Sequence, residues 1–316
     1  MEDLLVKFGI VFGKRYTLKQ RQRFLLSINE EFSELGYNTK FANNNRKNNA
    51  KAVNLFIGDI ASATTIICTH HDTPLTVLWP NYRYYPLNGR RSFRAYSIAT
   101  IIPAIIATIF AALAIYFFIS NPDLGGNLRP FWIFAVVLVS FLLATLISKG
   151  LSNKYNINRN TAAMLAILHI AKNLDQQARQ KTAFILLDKG CGDNSGAQMM
   201  QQALPTTLGK KLFIYLDCIG NGEELVIAHR ENLQKDSDKL LKSFKGKQNA
   251  IVTELDDGQV QFTPTYFFDR CIIVTNGHYD TSGNIYINKV NSGSDKFADI
   301  ETIEAVADMI VSSLNK

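Results

Sequence analysis

From Ala95 to Ser148 the chain carries only two charged side chains, Asp123 and Arg129, and both fall in one short connection. On either side lie apolar runs, residues 97–120 (SIATIIPAIIATIFAALAIYFFIS) and 131–148 (FWIFAVVLVSFLLATLIS). As helices these would be roughly 36 and 27 Å long, against a hydrocarbon core of roughly 30 Å. A core helix of a soluble domain keeps a polar stripe, and neither run has one. The pattern therefore predicts two membrane-spanning helices. The segment 121–126 (NPDLGG) forms the turn between them, and Pro130 sits in the first turn of the second.

Charges on the flanks give an orientation. Arg90, Arg91 and Arg94 precede the first run, and Lys149, Lys154 and Arg159 follow the second, while the connection offers only Arg129. The positive-inside rule then puts both flanks, both termini and the soluble domain in the cytoplasm. Tyr96, Tyr116, Phe117, Phe118, Phe131 and Trp132 fall near the span ends, where an aromatic belt would sit. The chain divides into 1–94, the first part of an α/β domain; 95–149, the hairpin; and 150–316, the second part. A net charge of +7 comes largely from the hairpin flanks and from residues 43–51 (NNNRKNNAK). Without interleaved aromatics this favours anionic lipid headgroups over nucleic acid. The four cysteines show no CxxC spacing, as expected of reduced structural residues in the cytosol.

Outside the hairpin, helix-period and strand-like segments alternate. Residues 17–35 place Phe24, Leu25, Ile28 and Phe32 on one face, with Gly36 as the stop. Helices are also expected over 160–174 and 300–314. Continuous apolar runs at 53–57, 64–68, 182–187, 212–216, 225–228 and 271–275 read as strands of a mostly parallel, doubly wound sheet. Residues 43–49 and 236–248 carry little signal, the second stretch reading as an exposed helix end and loop. Such a sheet places its site at the carboxyl ends of the strands.

Two strand ends carry chemistry. The run TTIIC leads into Thr69-His70-His71-Asp72-Thr73-Pro74, an imidazole with a carboxylate two residues on to orient it. The run LFIYL ends in Asp217 before Cys218-Ile219-Gly220-Asn221-Gly222. Either motif also occurs as an ordinary solvated turn or cap. His169 reads as a satisfied helix residue and His229 as a surface residue after a strand.

In order, these blocks resemble the co-catalytic zinc aminopeptidase family of bacterial leucyl aminopeptidases, glutamate carboxypeptidase and the transferrin receptor. IICTHHDTP and IYLDCIGNGEEL carry most of the likeness, with TAFILLD and the Asp295–Ile300 segment before the last helix. The resemblance implies a two-zinc site. His70 would be the first histidine ligand, Asp72 its orienting carboxylate and Asp217 a ligand aspartate. Elsewhere the chain departs from the pattern. Asn158 stands at the bridging aspartate, Gly190 at the general base, Cys191 at the ligand glutamate and Asn291 at the last histidine. Two zinc ions bring about +4 of charge, which one matched carboxylate ligand does not offset.

The expectation is thus a membrane-anchored protein of this fold with a degenerate metal site and a binding or scaffolding role, its partner a peptide or membrane protein. One alternative is a divergent metal-dependent hydrolase with a rebuilt zinc site drawing on His71, Asp188, Cys191, Asp193 and His278. Another is a membrane-complex component associating through Ala104, Ala107, Ala111, Ala112 and Ala114.

Overall fold

Runs of β-branched and apolar residues become ten strands in the computed structural model. They are β1 (Thr39–Asn43), β2 (Val53–Ile57), β3 (Thr65–His70), β4 (Arg83–Tyr84), β5 (Thr182–Leu187), β6 (Leu212–Leu216), β7 (Glu224–His229), β8 (Asn249–Glu254), β9 (Cys271–Tyr279) and β10 (Ile285–Asn288). The structure describes residues 1–79, 81–121, 126–149, 151–204, 207–230 and 232–315. The turn expected at 122–125 lies outside them, as do the side chains of Phe118, Arg129 and Lys149.

The strands make one mixed sheet in the order β1-β2-β5-β3-β6-β9-β10-β4, with β7 beside β9 and β8 beside β7. Parallel pairing holds the centre, β5-β3-β6-β9, and also joins β7 to β8. The pairs β1-β2, β2-β5, β7-β9, β9-β10 and β10-β4 are antiparallel. Every residue of β3 and β5 is buried, as a central strand covered on both faces requires. Alternate residues serve opposite layers. Ile67, Phe184 and Ile214 meet the helices Leu18–Glu34, Ala162–Asn173 and Ile300–Leu314 through Phe24, Ile28, Leu165 and Ile303. Ile66, Ile185 and Phe213 face Met200 and Phe268 on the other side, with Phe213 and Phe268 stacked at 4.2 Å. The expected α/β layering is present.

Several elements lacked a legible pattern. β1 and β8 are half-exposed strands without a continuous apolar run, whereas residues 236–248 do hold the expected helix end and loop, finishing the helix Gln234–Ser243 before β8. The short helix Ser195–Ala203 was also not anticipated.

Two long helices, Gly89–Ser120 and Arg129–Lys149, project from the domain and are long and apolar enough to cross a membrane. Ile105, Ile109, Phe110, Leu113, Phe134 and Phe141 stay exposed, which a pair of core helices would not allow. The first helix is rooted in the domain before its charge-free run begins. Asn88 Oδ1 caps it by accepting from the Arg91 N–H at 3.0 Å, Arg91 pairs with Asp280 at 2.9 Å, and Phe93 stacks on Phe262 at 5.1 Å. Where the chain returns, Leu75 bridges to Ser152 and the Thr76 N–H donates to Leu151 O at 2.6 Å. The first end of the hairpin is therefore held by the turn after β9 and by Phe262, and the returning end by the segment that follows β3.

Candidate metal centre and cleft

β3 ends at His70, β5 runs into Asp188 and β6 into Asp217, so parallel pairing alone brings these three to one edge. Facing them is a buried polar turn, Ile157–Thr161, wound as a π-helix ahead of the helix Ala162–Asn173. Such turns hold an extra residue in the helical ladder and recur at functional sites.

On the β3 side, donor atoms of His70, Asp72 and Cys191 all lie within 4.8 Å of one another. His70 is fully buried; its Nδ1 shares a 2.8 Å hydrogen bond with the Tyr215 hydroxyl, and its Nε2 has no partner. The Cys191 backbone N–H donates to the Asp72 carboxylate at 3.1 Å, and its thiol donates to Asp72 O at 3.6 Å. Burial, then the nearby Arg159, His71 and Arg15 charges, push the His70 pKa well below its usual value. Burial and the Asp72 charge push the Cys191 thiol well up. The metal-free trio therefore keeps His70 neutral and Cys191 protonated. An imidazole, a carboxylate and a cysteine sulfur suit one zinc ion, and the unpartnered Nε2 is the imidazole atom that would bind it.

On the β6 side a guanidinium occupies the centre. Arg159 Nη1 donates to Asp217 Oδ1 in a short, buried ion pair, and the Tyr84 hydroxyl donates to Asp217 Oδ2 at 2.7 Å. The Arg159 guanidinium also lies 4.1 Å from the Tyr84 ring centre. Burial works against its charge, but Asp217, Tyr84, Cys191 and Cys218 outweigh that and hold its pKa well above the usual value. Asn158 turns its Oδ1 to the Gly220 N–H at 2.8 Å, and Asp295 caps the turn by accepting from the Asn158 and Arg159 backbones at 2.8 and 3.1 Å. Burial raises the Asp295 pKa to about 7. Asn291 donates to the Tyr82 hydroxyl at 3.2 Å.

The remaining sequence candidates sit elsewhere. His71 meets Val53 O at 3.0 Å and stacks on Phe24; Asp188 pairs with Arg21 at 2.9 Å. Asp193 is half-exposed in a turn, bonded to Ser195 and paired with Arg46 at 3.2 Å. His278 lies at the far end of β9, 3.5 Å from Glu223. Gly190 packs so closely under His70 that a Cβ built on it would collide with the ring's Cβ and Cγ. His229, read as a surface residue, is buried and bonded to Gln234 at 2.9 Å.

Arg159 is the residue the sequence misplaced. Counted there as a flanking charge, it is only 3% exposed and is a site residue. Its position beside Asn158, at the opening of an apolar helix, was the available signal. Tyr84, Tyr215 and Arg15 gave none. Arg15 is wholly buried, donating to Phe8 O at 2.8 Å and to Asn160, and burial lowers its pKa to about 9.

No family model and no curated protein matches the sequence. Solved structures do. The glutaminyl cyclase of Bacteroides thetaiotaomicron aligns at 14% identity over 99% of this chain and 96% of its own, with a TM-score of 0.57. A Zn-dependent exopeptidase of Parabacteroides distasonis aligns at 13% identity over 97% and 94%, TM-score 0.55. The LapA aminopeptidase of Legionella pneumophila aligns at 10% identity over 99% and 68%, TM-score 0.54. The chain has the zinc aminopeptidase-like fold, in a divergent form.

Proposed function

We propose that this is a membrane-anchored protein whose zinc-aminopeptidase-like cleft binds a ligand without hydrolysing it. The observation that carries this reading is Arg159 on Asp217. A fixed side-chain cation neutralises the one matched carboxylate ligand, in a ring closed by Tyr84. A second dication there would meet a guanidinium, and Asn158 is committed to Gly220. The general-base position has no room for a side chain at all, since Gly190 abuts His70. Losing that base alone removes about 10²–10⁴ in rate. The two long helices would hold the domain at the bilayer, with the cleft beside their root and the domain on the cytoplasmic side.

Elemental analysis of the purified full-length protein, run beside aminopeptidase and glutaminyl-cyclisation assays, tests the reading. At most one zinc per chain and no turnover are expected. Two metals per chain with turnover would overturn it. A second reading, a single bound zinc, is favoured by the convergence of His70, Asp72 and Cys191 around the unpartnered Nε2. Zinc that is retained by the wild type and lost in Cys191→Ser would establish that ion without restoring peptidase chemistry.

A further inference from the structure

The first long helix reaches further into the domain than the second. Gly89–Ser120 has 32 residues against 21 in Arg129–Lys149. Arg94 is the last charged residue before its apolar run. In the anchored protein a charged side chain stays out of the hydrocarbon, so the bilayer boundary on this helix falls just beyond Arg94. Ala99 is five residues further on, about 7.5 Å along the axis, and the headgroup region is roughly 5–8 Å deep on each side. Val77 and Tyr82 pack against Ala99, with Ala95 and Tyr96 beside them. The segment that follows β3 therefore lies at the level of the headgroups.

That segment is pinned along its length. The Thr76 N–H donates to Leu151 O at 2.6 Å, the Val77 N–H to Asn291 O at 2.8 Å, and the Tyr82 N–H closes a turn on Trp79 O at 3.3 Å. Between these bonds Leu78 and Trp79 project outward, 62% and 36% exposed, and Leu151, tied to the segment through Thr76, is 48% exposed. Facing water, such side chains gain nothing from their exposure. In a headgroup layer the indole, an apolar ring with a polar N–H, takes the position where tryptophan is enriched, and leucine enters the upper acyl chains. The returning chain adds charge. Lys154 and Lys296 hold exposed ammonium groups 5.0 and 4.9 Å from the Tyr155 ring centre, and the Asn153 N–H joins this stretch to Pro74 O at 3.4 Å. Lipid phosphates complement such a pair of cations.

We infer that residues 75–79, with Leu151, form a foot that docks the domain on the phospholipid interface. Trp79 lies in the headgroup layer, Leu78 and Leu151 at the top of the acyl chains, and Lys154 and Lys296 towards the phosphates. Pro74, Leu75 and Tyr82 also wall the cleft, so the docked foot fixes the height of the cleft above the bilayer. The inference rests on the proposed anchoring and adds a second membrane contact, made by the domain itself.

The chain has two tryptophans, Trp79 and Trp132, so Trp132→Phe leaves Trp79 as the only indole. The full-length variant is placed in nanodiscs whose phosphatidylcholine is brominated either near the top of the acyl chain or near its end. Shallow bromine is expected to quench the emission by at least about twofold, and deep bromine clearly less. Emission that ignores both lipids puts Trp79 in water, and stronger quenching by deep bromine puts it in the core; either result overturns the inference. Adding Leu78→Asp and Leu151→Asp should then cut the shallow quenching by at least about twofold. Both side chains are exposed, so folding is expected to be unaffected, and thermal melts in detergent check it. Unchanged quenching would mean that the helices alone set the height of Trp79, which also overturns the docking. Carbonate extraction separates the underlying reading. Protein retained in the membrane with Trp79 unquenched sinks only the foot, whereas protein released by carbonate removes the anchoring itself.

Discussion

The two sides of the cleft edge started from the same architecture and now do different things. Beside β3, His70, Asp72 and Cys191 leave donor atoms converging with one nitrogen unmet. Beside β6, Asp217 is fully engaged by Arg159 and Tyr84. The first side offers a donor set that suits a cation; the second carries a fixed cation of its own. A buried carboxylate needs a compensating charge, and a guanidinium that arrives with the fold meets that need without any metal supply. The arginine is permanent and cannot polarise a water as zinc does, which is why the proposed function gives this half of the site no metal chemistry.

Removing the arginine should break the contrast most severely. Arg159→Met leaves Asp217 buried with the Tyr84 hydroxyl and the Cys218 thiol as its side-chain donors and no compensating charge, and a loss of about 3–5 kcal/mol in unfolding free energy is expected. Denaturant titration reads it, and an unchanged midpoint would show that the ion pair does not hold the β6 side together. Restoring the lost acid is expected to fail as well. Gly190→Glu drives a Cβ into His70 and should cost about 1–3 kcal/mol while producing no peptidase activity. Measurable turnover from that variant would mean the loop relaxes and the site is closer to catalysis than its geometry suggests.

A pH series sharpens the comparison through Asp295, which caps the Arg159 turn. Its pKa is about 7 when folded, against an ordinary value of 3.8, because burial disfavours the carboxylate. Its stabilising contribution is fully present below the unfolded value and is lost as the pH rises through about 7. The wild type minus Asp295→Asn stability difference should fall by up to about 1.4 kcal/mol per pH unit between pH 4 and 7. His71 acts in the opposite sense. Its pKa is lowered by burial to about 4, so its neutral folded form loses stability as the pH falls from 6.5 towards 4. Thermal melts across this range check both slopes, and a flat difference curve would remove the buried-carboxyl account. The smallest effect belongs to the candidates that lie outside the His70, Asp72 and Cys191 cluster. Asp193→Ala and His278→Ala should each change stability by no more than about 0.5 kcal/mol and leave any bound zinc in place. Loss of metal in either would bring them back into the site.

Much of this molecule is legible along the chain because its signals are local. The charge-free run, the helix face of Phe24, Leu25, Ile28 and Phe32, and the apolar strands ending in His70 and Asp217 all follow from periodicity and length. The sequence also marks Asn158, Gly190, Cys191 and Asn291 for attention, and the structure shows where each lies: Asn158 on Gly220, Gly190 under His70, Cys191 beside Asp72 and Asn291 on Tyr82. Edge strands such as β1 and β8 escape because one face meets water and the apolar pattern thins out.

The sequence by itself determined the layers and the place of the two long apolar helices. Only the tertiary structure decided what stands beside Asp217. An arginine on a membrane flank and an arginine folded onto a buried aspartate are the same letter in the same stretch of chain. Which one it is depends on the π-turn at Ile157–Thr161 carrying Arg159 inward and on Tyr84, about seventy-five positions earlier, closing over it. Charge pairing of that kind joins residues far apart in sequence, so its energy is written in the packing and not in any local pattern.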